Sequence, residues 1–70
     1  MTNEQFKAWR KKQCFTQQQA ADALGLYRLT IINYERGTRP ENNLEVKIPR
    51  SIDLACAAIA AGLKPFSEQG

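Results

Sequence analysis

The chain contains no histidine and only two cysteines, Cys14 and Cys56. A structural zinc ion normally takes four Cys or His ligands, so a metal centre of that kind is excluded. The same shortage removes the usual general base, and neither cysteine has a base beside it, so no nucleophile–base pair points to an enzyme. Cys56 reads as a small buried apolar residue and Cys14 as a free thiol, with a disulfide between them left open. Long apolar runs are also missing. The most apolar stretch, Ile52 to Leu63, contains Asp53 and is too short to span a bilayer. The N-terminus is polar and amphipathic, unlike a signal peptide. These absences lead us to expect a soluble cytoplasmic protein without cofactor, metal or membrane association.

Seventy residues make one domain, near the lower limit for a core without staples. With 43% apolar and 24% charged residues the chain is globular rather than disordered. The net charge of +3 is unevenly spread. Up to Pro40 there are seven Lys/Arg and three Asp/Glu; from Glu41 onward there are three and four. A positive field on one half suits a phosphate-facing surface.

Residues 16–37, TQQQAADALGLYRLTIINYERG, organise the chain. Thr16 and Gln19 have capping-box spacing. Ala20, Ala21 and Leu24 recur at helical spacing, and Gly25 stops the helix by taking a left-handed conformation. Leu26 is expected to plug the angle before a second helix, from about Arg28 to Arg36, closed by Gly37. A helix, a Gly-containing turn and a helix form the helix-turn-helix pattern. At about 100° per residue, Ile31 and Tyr34 share one arc, flanked by Thr30 and Glu35, and this arc is expected to face the core. Arg28, Leu29, Ile32, Asn33 and Arg36 share the opposite arc. That second arc joins Arg and Asn, which hydrogen-bond base edges, to Leu and Ile, which suit thymine methyls. Arg28, Leu29, Ile32 and Asn33 are therefore the candidate base contacts. The alternative is that Leu29 and Ile32 meet a neighbouring helix or are simply exposed.

Before this pair, Thr2 and Gln5 offer another capping box, and a helix over about Asn3–Gln13 directs Phe6 and Trp9 inward. Lys7, Lys11 and Lys12 give it a basic side. After it, Pro40, Asn42 and Asn43 mark a loop, and Leu44, Val46 and Ile48 alternate with Glu45 and Lys47. With no obvious partner in the chain, this stretch is expected to be irregular chain packed over the core; the alternative is pairing with its copy across a two-fold axis. Pro49 then opens a helix over about Arg50–Ala61, ended by Gly62. Ile52, Ala55, Cys56, Ile59 and Leu63 form one apolar arc; Leu54, Ala58 and Ala61 form another. A helix apolar on both sides asks to be covered on both sides. Either Phe66 folds back over the second side or another subunit covers it. The expected fold is all-α: a compact bundle of four or five short helices in one domain, residues 1–70.

Four blocks in order, FKAWR at 6–10, FTQQQAADALGL at 15–26, TIINYERGTRP at 30–40 and IPRSIDLACAAIAAGL at 48–63, resemble the Cro/C1-type helix-turn-helix family (lambda repressor-like, or XRE). The resemblance spans residues 3–63. It implies a DNA-binding transcriptional regulator: a dimeric repressor of a phage, mobile-element or small bacterial operon, with autoregulation of the anti-CRISPR-associated type as one form. It implies a structural ion pair between Arg10 and Glu35, and a phosphate contact at Gln17, whose helix N-terminus attracts anions. Gln18, Tyr27, Tyr34, Arg36 and Arg39 complete the expected phosphate contacts. The partners implied are double-stranded DNA with a palindromic operator and a second copy of the chain. The dimer interface is expected within about 41–66, at Leu44, Val46, Leu54, Ala58 and Phe66, where surplus apolar surface lies. The alternative is an antitoxin or protein-binding adaptor with secondary DNA binding; the short stretch after Gly62 argues against a toxin-wrapping arm. Three positions depart from the family pattern. Gln13 replaces an apolar residue, Cys14 replaces a glycine, and Tyr27 replaces a small capping residue. The Cys14 departure predicts an altered helix 1–2 connection, since a side chain disfavours the left-handed stop.

Overall fold

The computed structural model describes residues 1–39 and 41–69. The loop position expected at Pro40 lies outside them. Among the described residues four α-helices follow in order: α1 (Asn3–Lys12), α2 (Gln17–Leu24), α3 (Arg28–Arg36) and α4 (Arg50–Ala60), then a 3-10 turn at Phe66–Glu68. No helix among the described residues is long and apolar enough to cross a membrane. The all-helical bundle expected from the sequence is what forms.

Local chemistry sets the helix ends. Both capping boxes close: the Thr2 and Thr16 hydroxyls accept from the amides of Gln5 (3.0 Å) and Gln19 (3.1 Å). Each glutamine side chain accepts in return from the cap residue's own amide, at 2.7 and 2.8 Å. At the other end of α2, Gly25 has φ +69°, while the Leu26 amide reaches back to the Ala21 carbonyl at 2.9 Å. That is a Schellman stop. α1 ends the same way without a glycine. Cys14 takes φ +59°, its amide donates to the Lys11 carbonyl, and the Phe15 amide donates to the Arg10 carbonyl. The expected change of connection does not occur. Two backbone hydrogen bonds and the packing of Phe15 on the core outweigh the cost of the side chain in a left-handed residue, about 1–2 kcal/mol.

The core joins α1, α2, α3 and one residue of α4: Phe6, Trp9, Ala20, Ala21, Ile31, Tyr34 and Cys56. Ala20 and Ala21 are fully buried, and their small size lets α3 pack closely on α2. Phe6 lies edge-on to Tyr34, with ring centroids 5.4 Å apart, and tilts against Trp9 at 5.5 Å. The Trp9 indole N–H donates to the Cys56 carbonyl at 3.0 Å, tying α1 to α4. The Met1 amino group meets the Asp53 carboxylate at 2.8 Å, a second link between the same two regions.

In the C-terminal half the structure decides between open alternatives and changes the placement of Val46 and Leu63. The alternating stretch finds its partner within the chain. Thr38 and Glu45 form an antiparallel bridge, the Arg39 amide donates to the Leu44 carbonyl, and the Val46 amide donates to the Gly37 carbonyl. Val46 and Ile48 then pack against the core, which withdraws Val46 from the expected dimer interface. Leu63 leaves the inward arc and is 59% exposed, because α4 stops at Ala60 and the chain turns away through Gly62. Phe66 does not fold back over the second face of α4; it is 91% exposed.

Candidate nucleic-acid interface

The outward side of α3 is carried by a helix held at its C-terminal end. Its first turn starts from Tyr27, in extended conformation and without a side-chain cap. Helix geometry leaves the first amides of such a helix without intrahelical partners. At its C-terminal end, the Arg10 guanidinium grips Glu35 with two hydrogen bonds, Nε to Oε2 at 2.6 Å and Nη2 to Oε1 at 3.0 Å. Its Nη1 donates to the Phe15 carbonyl at 2.9 Å. One side chain thus joins α1, the α1–α2 turn and α3. The pair is well shielded, with 14% of the Arg10 and 7% of the Glu35 side chain exposed. The hydrogen bond to Glu35 holds the guanidinium's pKa even above its ordinary value, against the opposing effect of burial. The expected ion pair is therefore present, and its geometry is the bidentate fork that favours Arg over Lys.

A second clamp has no counterpart in the sequence reading. The Asn3 side-chain amide donates to the Tyr34 carbonyl at 2.7 Å and to the Val46 carbonyl at 3.1 Å. It satisfies an end carbonyl of α3 and pins the 38–46 turn beside it. A β-carbon added at Gly37 would only touch Asn3, at 3.4 Å; glycine is called for there by the left-handed φ of +86° that closes α3. No spacing rule marks Asn3. It follows a helix cap, and its partners come from distant parts of the chain.

With the helix fixed, the expected contacts separate. Arg28, Arg36 and Arg39 are exposed, as are Tyr27 and Leu29, the latter by 61%. Ile32 is half-buried. Asn33 is half-buried too, and its Oδ1 is buried with no hydrogen-bond partner. A bidentate contact to adenine needs both the oxygen and the amide of Asn, so this orientation does not present the pair. Asn33 borders a cleft shared with Thr30, Arg39 and Lys47, at the edge of the outward arc rather than its centre. Tyr34 is corrected more firmly. It is 8% exposed, its ring stacks edge-on with Phe6, and burial raises its pKa. An inward position on α3 and the bulk of the ring make it a core residue, not a phosphate contact.

On α2, Gln17 is half-buried and Gln18 exposed. The capping box uses the Thr16 and Gln19 amides, so helix geometry leaves those of Gln17 and Gln18 free at the positive end of the helix dipole. The Gln18 side chain donates to Asp22 at 3.0 Å, which turns it along α2. Among the residues expected at a dimer interface, Leu44, Leu54 and Phe66 are exposed and Ala58 is half-buried. Comparison with protein-family models, curated proteins and solved structures finds no match to this chain.

Proposed function

We propose that this chain is a sequence-specific double-stranded DNA-binding regulator, a cytoplasmic dimeric repressor that uses α2 and α3 as a helix-turn-helix. The observation that carries this reading is the outward side of α3. Arg28, Leu29 and Arg36 are displayed on a helix whose opposite side is anchored by Ile31, Tyr34 and the Arg10–Glu35 fork. A rigid helix with a mixed Arg and aliphatic face, in the more basic half of the chain, suits the major groove. The free α2 amides of Gln17 and Gln18 and the Arg39 side chain supply phosphate contacts. Two copies on a palindromic site would set their reading helices about 34 Å apart, one turn of DNA. The reading involves no cofactor and no catalysis.

Selection of bound sequences from a random DNA pool tests it, and a symmetric motif is the expected result. Arg28→Ala should then cost roughly 1–3 kcal/mol on that site and relax preference at one position. Equal retention of all pool sequences, or cognate affinity untouched by Arg28→Ala, would remove α3 from the role of reader. A stable stoichiometric complex with another protein and no DNA selection would favour the adaptor reading instead.

A further inference from the structure

The outward side of α3 presents hydrogen-bond donors and apolar groups but no acceptor. Arg28 and Arg36 are exposed on it and Arg39 follows it, and a guanidinium only donates. Leu29, 61% exposed, and the half-buried Ile32 offer methyl groups and nothing polar. The two side chains of α3 that would bring acceptors are withdrawn. Both carboxylate oxygens of Glu35 are taken by Arg10, at 2.6 and 3.0 Å. The Asn33 Oδ1 is buried. Thr30 flanks the inward arc and lines the cleft beside Asn33. The other side chains expected at the DNA that can accept are the Tyr27 hydroxyl and the Gln17 and Gln18 amides. They stand before the helix or on α2.

We infer that α3 reads keto bases: guanine through Arg28, and thymine through its methyl group against Leu29 and Ile32. This rests on the DNA reading proposed above and names what that face selects. In the major groove guanine shows two acceptors, O6 and N7, which match the fork of one arginine. Thymine shows the O4 acceptor and a methyl group, which match a donor beside an aliphatic side chain. Adenine and cytosine each turn an amino donor into the groove, and a face without acceptors leaves that donor unpaired. Adenine keeps only its N7 for Arg28, and cytosine keeps nothing. Position along the helix sets the extent. Arg28, Leu29 and Ile32 fall within about 6 Å along the axis, or about two to three bases at about 3.4 Å each. Guanine and thymine should therefore be neighbours in the half-site. Arg36, about two turns beyond Arg28, is left to the phosphates.

Duplexes of a site selected from the random pool, each with one altered base, test the inference by fluorescence anisotropy. Uracil in place of the thymine removes only the methyl group and should weaken binding roughly three- to fivefold. Leu29→Ala should bring uracil and thymine to within about twofold of each other, because the methyl has lost its main contact. A guanine analogue with carbon in place of N7 should weaken binding roughly tenfold or more, and Arg28→Ala should remove most of that difference. The same replacement at adenine N7 should leave affinity unchanged. Arg28 and Leu29 are exposed, so both variants should stay folded, which circular dichroism checks. A site sensitive at adenine N7, indifferent to uracil and weakened by Asn33→Ala would overturn the inference and leave the DNA reading standing. Uracil sensitivity undiminished in Leu29→Ala would also overturn it alone. Failure to select any sequence would overturn the DNA reading and the inference with it.

Discussion

Phe6 and Phe66 are the same side chain in two regions built differently. Phe6 is fully buried between Trp9 and Tyr34, whereas Phe66 is 91% exposed. The contrast extends to their surroundings. α1 and α3 are fastened by the Arg10–Glu35 fork and the Asn3 clamp, and each buries two residues. α4 is apolar on both sides yet buries only Cys56. The difference lies in how many elements surround each helix. α1 and α3 pack on each other and share the core with α2, whereas α4 has α2 and one edge of α1. Apolar composition calls for a cover; the number of neighbours decides whether the chain supplies it.

The largest test of this contrast is the pair of truncations. Phe6→Ala should remove about 3–5 kcal/mol from a domain of modest stability and leave it largely unfolded. Phe66→Ala, in protein dilute enough to be monomeric, should shift the unfolding midpoint hardly at all. Comparable losses in urea melts would mean that the tail is part of the core. Next comes the fork. Glu35→Ala leaves a shielded guanidinium without its partner and should cost about 2–4 kcal/mol, lowering the melting temperature by roughly ten degrees or more. An unchanged melting temperature would reduce the fork to a surface pair.

The one residue that α4 buries adds a dependence on pH. Burial, and secondarily the charge of Asp53, push the Cys56 thiol up to about 11 from an ordinary 9. Between those values the unfolded chain loses the thiol proton while the folded chain keeps it. Stability should therefore be intact below pH 9 and fall as pH rises towards 11, by at most about 2–3 kcal/mol. Cys56→Ala should flatten that part of the profile, seen by urea titration at several alkaline pH values. An equal alkaline slope in the variant would assign it to other groups. The smallest effect compares two helix stops. Cys14→Gly should relieve left-handed strain of about 1–2 kcal/mol, offset by about 0.4–1 from the freer unfolded chain, for a gain of roughly 0.5–1 kcal/mol. Gly25→Ala should have the opposite sign, because it adds that strain with open space around the new methyl. Two changes of the same sign in thermal melts would contradict the shared stop.

Sequence alone determined what depends on near neighbours. Thr16 with Gln19, Gly25 after Leu24, and the spacing of Phe6 with Trp9 fix helix ends and inward faces within one or two turns. All are realised. The outward placement of Arg28, Leu29 and Arg36 follows from the same 3.6-residue period. The resemblance added one long-range contact, Arg10 with Glu35, which period and propensity do not reveal. Tertiary structure decided whatever needs a second element in place. It turned the 44–48 stretch back onto residues 37–39, made Asn3 a clamp, and left the Asn33 Oδ1 buried without a partner. It also left Phe66 outside. Helical periodicity assigns a side chain to a face. Burial and hydrogen bonding depend on what stands opposite that face, which a single helix does not contain.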